Sequence, residues 1–108
     1  MATLNEVYLA GIVANAPDMQ LGTGTPCATV RLCVIEEREG QQYKTLVPLE
    51  AWGKAADSIG EIEEGMAVLV RGRLRWKKTG EQPGTLVVSV WQVQPLVALA
   101  GSTLGGRV

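Results

Sequence analysis

Gly53-Lys54-Ala55-Ala56-Asp57-Ser58-Ile59-Gly60-Glu61-Ile62 reads as one short helix set between two strands, and its place in the chain decides the fold. Lysine and alanine favour the helix, Gly60 weakens it, and Gly65 stops it. On its N-terminal side a strand runs from about Tyr43 to Trp52. Alternation sends Val47, Leu49 and Ala51 one way and Leu46, Pro48, Glu50 and Trp52 the other. Pro48 removes a ladder donor, so an edge or a bulge is expected there. On the C-terminal side a long strand runs from Ala67 to about Lys78.

Working outward, Glu36–Gln42 is a polar hairpin loop, and Cys27–Ile35 before it alternates well. Ala28, Val30, Leu32 and Val34 form one face of that strand; Cys27, Thr29, Arg31, Cys33 and Ile35 form the other. Residues 15–18 and 22–26 are turns rich in Asn, Gly and Pro. Glu6–Ala14 is a first strand, apolar on both faces, as expected of a strand with the core on one side and a partner subunit on the other. Gly11 in its middle suits a bulge or a sharp bend. Beyond the long strand, Thr79–Gly84 reads as a hairpin tip, and a fifth strand runs from Thr85 to about Val93. A helix between strands three and four of five strands is the OB topology, so the expected class is all-β: an OB-fold Greek-key barrel with a short helix between strands three and four. The expected domain covers residues 1–98, followed by a flexible C-terminal tail at 99–108.

Four stretches resemble, in order, the bacterial single-stranded DNA-binding protein family. Asn5-Glu6-Val7-Tyr8-Leu9-Ala10-Gly11 is similar to its opening strand, and Ala28-Thr29-Val30-Arg31-Leu32 to its second. Ala51-Trp52-Gly53-Lys54-Ala55-Ala56 resembles the element joining strand three to the helix. The run from Gly65 to Arg75 resembles the signature of strand four. The resemblance covers roughly residues 5–96. It implies sequence-tolerant binding and protection of single-stranded DNA in replication, repair or recombination, self-assembly with a homotetramer favoured and a homodimer possible, and no catalytic residues. Several positions depart from the family pattern. Glu36-Glu37-Arg38 stands where an aromatic often ends strand two, Leu46 where a tryptophan often stands in strand three, and Glu64 where a basic residue often precedes strand four. Phenylalanine is absent. The chain stops at Arg107-Val108 without the acidic tip of many members, so partners recruited through such a tip are not expected.

Single-strand binding needs aromatic faces for bases and cations for phosphates. Trp52 is the first candidate for stacking and Lys54 for phosphate, because both match family positions; the alternative for Trp52 is packing under the helix as core. Arg71, Arg73, Arg75 and Lys77 share one face of strand four, with Lys78 following, and could track the backbone. The alternative for this stripe is a solvated face paired with acidic residues, and for Arg71 the two readings balance. Trp76, between Arg75 and Lys77, suits stacking or extends the Val70–Leu74 core row. Arg31, Tyr43 and Lys44 are secondary candidates, and Trp91 is assigned to packing or an interface.

The net charge of −1 argues against a strongly basic binder, although charge distribution counts for more than the sum. No histidine is present, which excludes histidine-based catalysis, and Gly22-Thr23-Gly24 lacks the rest of a phosphate-loop fingerprint. Cys27 and Cys33, about 20 Å apart on one strand, neither pair nor make a zinc site. No cofactor or metal is expected. Without a signal peptide or a long apolar run, the chain is expected to be cytoplasmic and off the membrane. Two further readings stay open. One is an OB-fold accessory replication subunit of primosomal type, whose main role is protein contact; the missing aromatics, Glu50 on the presumed binding face and the absent tail favour it. The other is an RNA-binding OB domain.

Overall fold

The computed structural model describes residues 3–22, 24–78 and 80–96; the expected tail at 99–108 lies outside them. The elements run β1 (Val7–Val13), β2 (Asp18–Gln20), β3 (Cys27–Arg38), β4 (Gln41–Trp52), α1 (Lys54–Gly60), β5 (Ala67–Lys77) and β6 (Thr85–Pro95). The sheet order is β1-β5-β6-β4-β3-β2, and a further pairing of β1 with β3 closes β1, β5, β6, β4 and β3 into a five-stranded barrel. Among the described residues, a mostly β structure with one closed barrel and one short helix is consistent with the expected OB-fold. The expected place of the helix holds only in part. Along the chain α1 follows the fourth strand, because the short β2 was not expected, and it lies between β4 and β5. β2 replaces part of an expected turn by pairing Asp18–Gln20 with Cys27–Thr29 at the barrel edge.

The barrel interior is filled by the rows that alternation assigns to the core. Ala28, Val30 and Leu32 of β3, Leu49 and Ala51 of β4, Val68 and Val70 of β5, and Val88 and Val90 of β6 are all buried. Ala56 and Ile59 of α1, with Ile62 after it, join this cluster from the helix. The burial of small and branched side chains from the barrel strands supplies the main driving force. Asn5 prolongs the β1–β5 ladder with its side chain: its Nδ2 donates to the Leu74 carbonyl at 2.8 Å, and the Leu74 N–H donates to its Oδ1 at 2.9 Å.

Two turns differ from the sequence reading. The expected seven-residue loop at Glu36–Gln42 is a two-residue turn at Glu39-Gly40, both with positive φ (53° and 80°), and β3 and β4 pair out to Arg38↔Gln41. Such a turn matches strand twist, and an arm projecting past the barrel has no core face to keep apolar, so its charged residues remain strand. Gly11 pairs in register with Val68; the irregularity expected there lies instead between Arg71 and Gly72, opposite Trp91 of β6. Gly11 and Gly72 serve close approach instead: a Cβ on either would collide with a backbone carbonyl, of Cys33 and Ser89 respectively. At Pro48 the missing donor is tolerated because the β4–β6 ladder consists only of Leu49 and Glu50.

Candidate nucleic-acid interface

The outward rows of β3, β4, β6 and β5 form one continuous surface. Register places Thr29 beside Glu50, Glu50 beside Ser89, and Ser89 beside Arg73, with Arg75 beside Val87. On this surface lies a groove of about 290 Å³ lined by Asn15, Asp18, Thr29, Arg31, Pro48, Glu50, Lys77 and Val87, among others.

Glu50 organises the groove. It points outward yet is only 1% exposed, because side chains from two strands close over it. The Arg75 Nη2 donates to both carboxylate oxygens, at 2.6 and 3.1 Å. The Lys77 ammonium lies 3.2 Å from Oε1, and the Trp52 Nε1 donates to Oε2 at 3.2 Å. Arg75 and Lys77 reach over β6, which presents the small side chains of Thr85, Val87 and Ser89 on this face. Burial by itself raises the Glu50 pKa; the hydrogen bonds from Arg75, Lys77 and Trp52 outweigh it and hold the carboxyl below its ordinary value. The neighbouring Cys27 thiol is pushed up, first by burial and then by the Glu50 charge.

Trp52 is 50% exposed and tied to the groove through its hydrogen bond to Glu50, so it is not core. Lys54 is exposed at the first position of α1, two residues on. Thus Trp52, Arg75 and Lys77 meet at Glu50, Arg31 lines the same groove, and Lys54 follows Trp52 by two residues. The cation stripe is not uniform. Arg71 is drawn aside: its Nε lies 2.9 Å from Glu6 Oε2, and its guanidinium covers the Trp91 ring at 5.1 Å. The arginine bond first, then that of Tyr8, lowers the Glu6 pKa, while the Glu6 bond raises that of Arg71. Arg73 and Lys78 are exposed and have no ion-pair partner among the described residues. The acidic partners of the stripe are Glu6, for Arg71, and Glu50, for Arg75 and Lys77.

The remaining candidates lie apart. Trp76 is 60% exposed on the opposite face of β5, in line with the core row but past the barrel end, with Gly84 directly against its ring. Its neighbours Leu74 and Leu86 are also exposed, so the apolar row continues as an open surface on the β5–β6 arm. Tyr43 and Lys44 sit on the β3–β4 arm, about 20 Å from Glu50 at strand rise. The Arg38 guanidinium covers the Tyr43 ring at 4.6 Å. Sequence reasoning counted Glu50 on the binding face against binding and missed its ion pairs with Arg75 and Lys77, which put it at the centre of the groove. A lone carboxylate in an apolar strand, two residues before a tryptophan, was the available signal.

An open groove on the outside of a small closed barrel, with cations and a half-exposed indole at its edge, defines a binding module rather than a catalytic pocket. No cluster among the described residues has the composition to hold a metal ion, and no helix there is long and apolar enough to cross a membrane. The sequence matches the single-strand binding protein family over residues 4–96, and the chain belongs to that family. The family's proteins are non-enzymatic. A single-stranded DNA-binding protein 3 of Clostridium acetobutylicum is 32% identical over 87 residues, 76% of this chain and 60% of that protein. The single-stranded DNA-binding protein of Thermus thermophilus is 35% identical over 75 residues, 68% of this chain and 28% of its own length. That of Clostridium tetani is 28% identical over 87 residues, 76% of this chain and 60% of that protein. The chain thus spans less than two thirds of the length of these relatives.

Proposed function

We propose that the chain binds single-stranded DNA with little sequence preference, through residues 1–98, along the groove over β3, β4, β6 and β5. The observation that carries the reading is the Trp52 ring standing half-exposed beside Arg75 and Lys77. A base stacks on Trp52 while Arg73, Arg75, Lys77 and Lys78 follow the phosphates, with Lys54 and Arg31 at the rim. Trp76 offers a second stacking face on the β5–β6 arm, and Tyr43 with Lys44 a third contact on the β3–β4 arm. Binding of this kind protects single strands during replication, repair or recombination, in the cytoplasm. The names of the relatives support the ligand. The outer face of β1, β5 and β6, with Tyr8, Leu69 and Trp91 exposed, supports self-assembly as a homotetramer or a homodimer. The accessory-subunit reading, with protein contact as the main role, draws its support from Glu50, which neutralises part of the cation stripe.

The test is a comparison of oligo-dT binding by the wild-type protein and by Trp52→Ala and Arg73→Ala. Trp52→Ala weakens binding by about 1–3 kcal/mol while the protein stays folded. Arg73→Ala lowers the salt dependence by about one phosphate contact. Wild-type binding unchanged by either substitution places the DNA elsewhere.

A further inference from the structure

Glu50 is a negative charge fixed inside the groove where, on the reading above, a polyanion binds. Its carboxylate cannot swing away, because it is 1% exposed and held at four contacts by Arg75, Lys77 and Trp52. The cations above it are not used up. Arg75 binds Glu50 through Nη2, leaving Nη1 and Nε; Lys77 spends one of its donors; their side chains are 33% and 38% exposed. Two positive charges over one negative leave a centre of net charge +1, with free donors facing outward. Asp18 and Arg31, which also line the groove, add one charge of each sign and cancel.

We propose that Glu50 is an affinity-setting counter-charge: a resident anion beneath the phosphate-binding cations that weakens the hold on single-stranded DNA and flattens its salt dependence. The inference rests on the proposed single-strand binding. A phosphate above Arg75 and Lys77 meets a net charge of +1 instead of +2. Removing the carboxylate charge exposes about one further counterion-releasing contact, worth a slope of about −0.7 in log affinity against log salt. Between 50 and 200 mM salt, that slope costs about 2.6-fold in affinity beyond the wild-type loss. At low salt, a unit charge about 6 Å from a phosphate, at an effective dielectric of about 40–80, corresponds to about three- to tenfold.

The experiment titrates the full chain with oligo-dT at 50 and 200 mM salt, for wild type, Glu50→Gln and Glu63→Gln. Glu63→Gln removes the same charge from an exposed loop after α1 and controls for net charge. The expected result is tighter low-salt binding and a steeper salt slope for Glu50→Gln alone. Weaker or unchanged binding by a folded Glu50→Gln overturns the inference, since a residue that only positions Trp52, Arg75 and Lys77 gives that outcome. An equal gain in Glu63→Gln overturns it also. Binding by Glu50→Gln where wild type does not bind supports it; binding by neither overturns it together with the single-strand reading. Wild-type binding with no gain in Glu50→Gln sinks the inference alone. Should Glu50→Gln melt below the assay temperature, Glu50→Thr, a residue matched to the facing Thr29, puts the same question with the same expected sign.

Discussion

Replacing Arg75 with methionine should destabilise the protein at neutral pH and do so less in mild acid. Arg75 supplies two of the four contacts that satisfy the buried Glu50 carboxylate, including the shortest, at 2.6 Å. Breaking a buried ion pair costs about 3–5 kcal/mol, chiefly because a charge is left uncompensated. Lys77 and Trp52 remain as partners, so the expected loss is about 2–3 kcal/mol at pH 7. The pH dependence follows from the same contacts. In the wild-type protein Glu50 titrates below its ordinary value of 4.5, so its contribution is complete above that pH and is lost as pH falls through the folded-state value. Arg75 is the strongest of the contacts that offset burial, so without it the folded-state pKa of Glu50 rises relative to wild type. The variant's disadvantage is therefore expected to shrink as pH falls from about 7 to about 5 and protonation begins to relieve the under-compensated charge. Urea denaturation at both pH values measures this, with unchanged m-values as the check on two-state behaviour. A loss below about 0.5 kcal/mol at both pH values, the range of a surface pair, would refute the hub role of Glu50.

Other predictions follow from packing and exposure. Gly72→Ala drives a Cβ into the Ser89 carbonyl beside the β5–β6 irregularity, and a thermal melt should register a loss of about 1–3 kcal/mol. Leu32→Ala opens a cavity at a fully buried position and should cost about 2–5 kcal/mol by chemical denaturation. Trp76→Ala removes an exposed ring, so stability should change by less than about 1 kcal/mol; oligo-dT binding should weaken by about 1–3 kcal/mol if the β5–β6 arm takes part.

The inward rows of β3, β4 and β5 were legible because one face of each strand is buried and a one-residue slip would expose it. Val30, Leu32, Leu49, Ala51, Val68 and Val70 all lie where alternation puts them. The helix was legible from Ala55 and Ala56 and from the glycines that bound it. β2 was not, since three residues carry no period, and the turn at Glu39-Gly40 was hidden because glutamate seldom adopts positive φ. In the site, Trp52 was placed correctly at the surface. The pairing of Glu50 with Arg75 and Lys77 was beyond reach, because it joins strands separated by β6 and depends on the register of β6 with both neighbours.

The central claim, binding of single strands by indole stacking and a short cation track, is tested most directly by tryptophan fluorescence during oligo-dT titration at 50 and 200 mM salt. With Arg73, Lys78 and the net charge of the Glu50 centre engaged, about three phosphates are neutralised, and affinity should fall about twentyfold over that range. Quenching with micromolar or tighter binding that weakens in this way is the predicted result; no quenching and no salt-sensitive binding at 50 mM would contradict it.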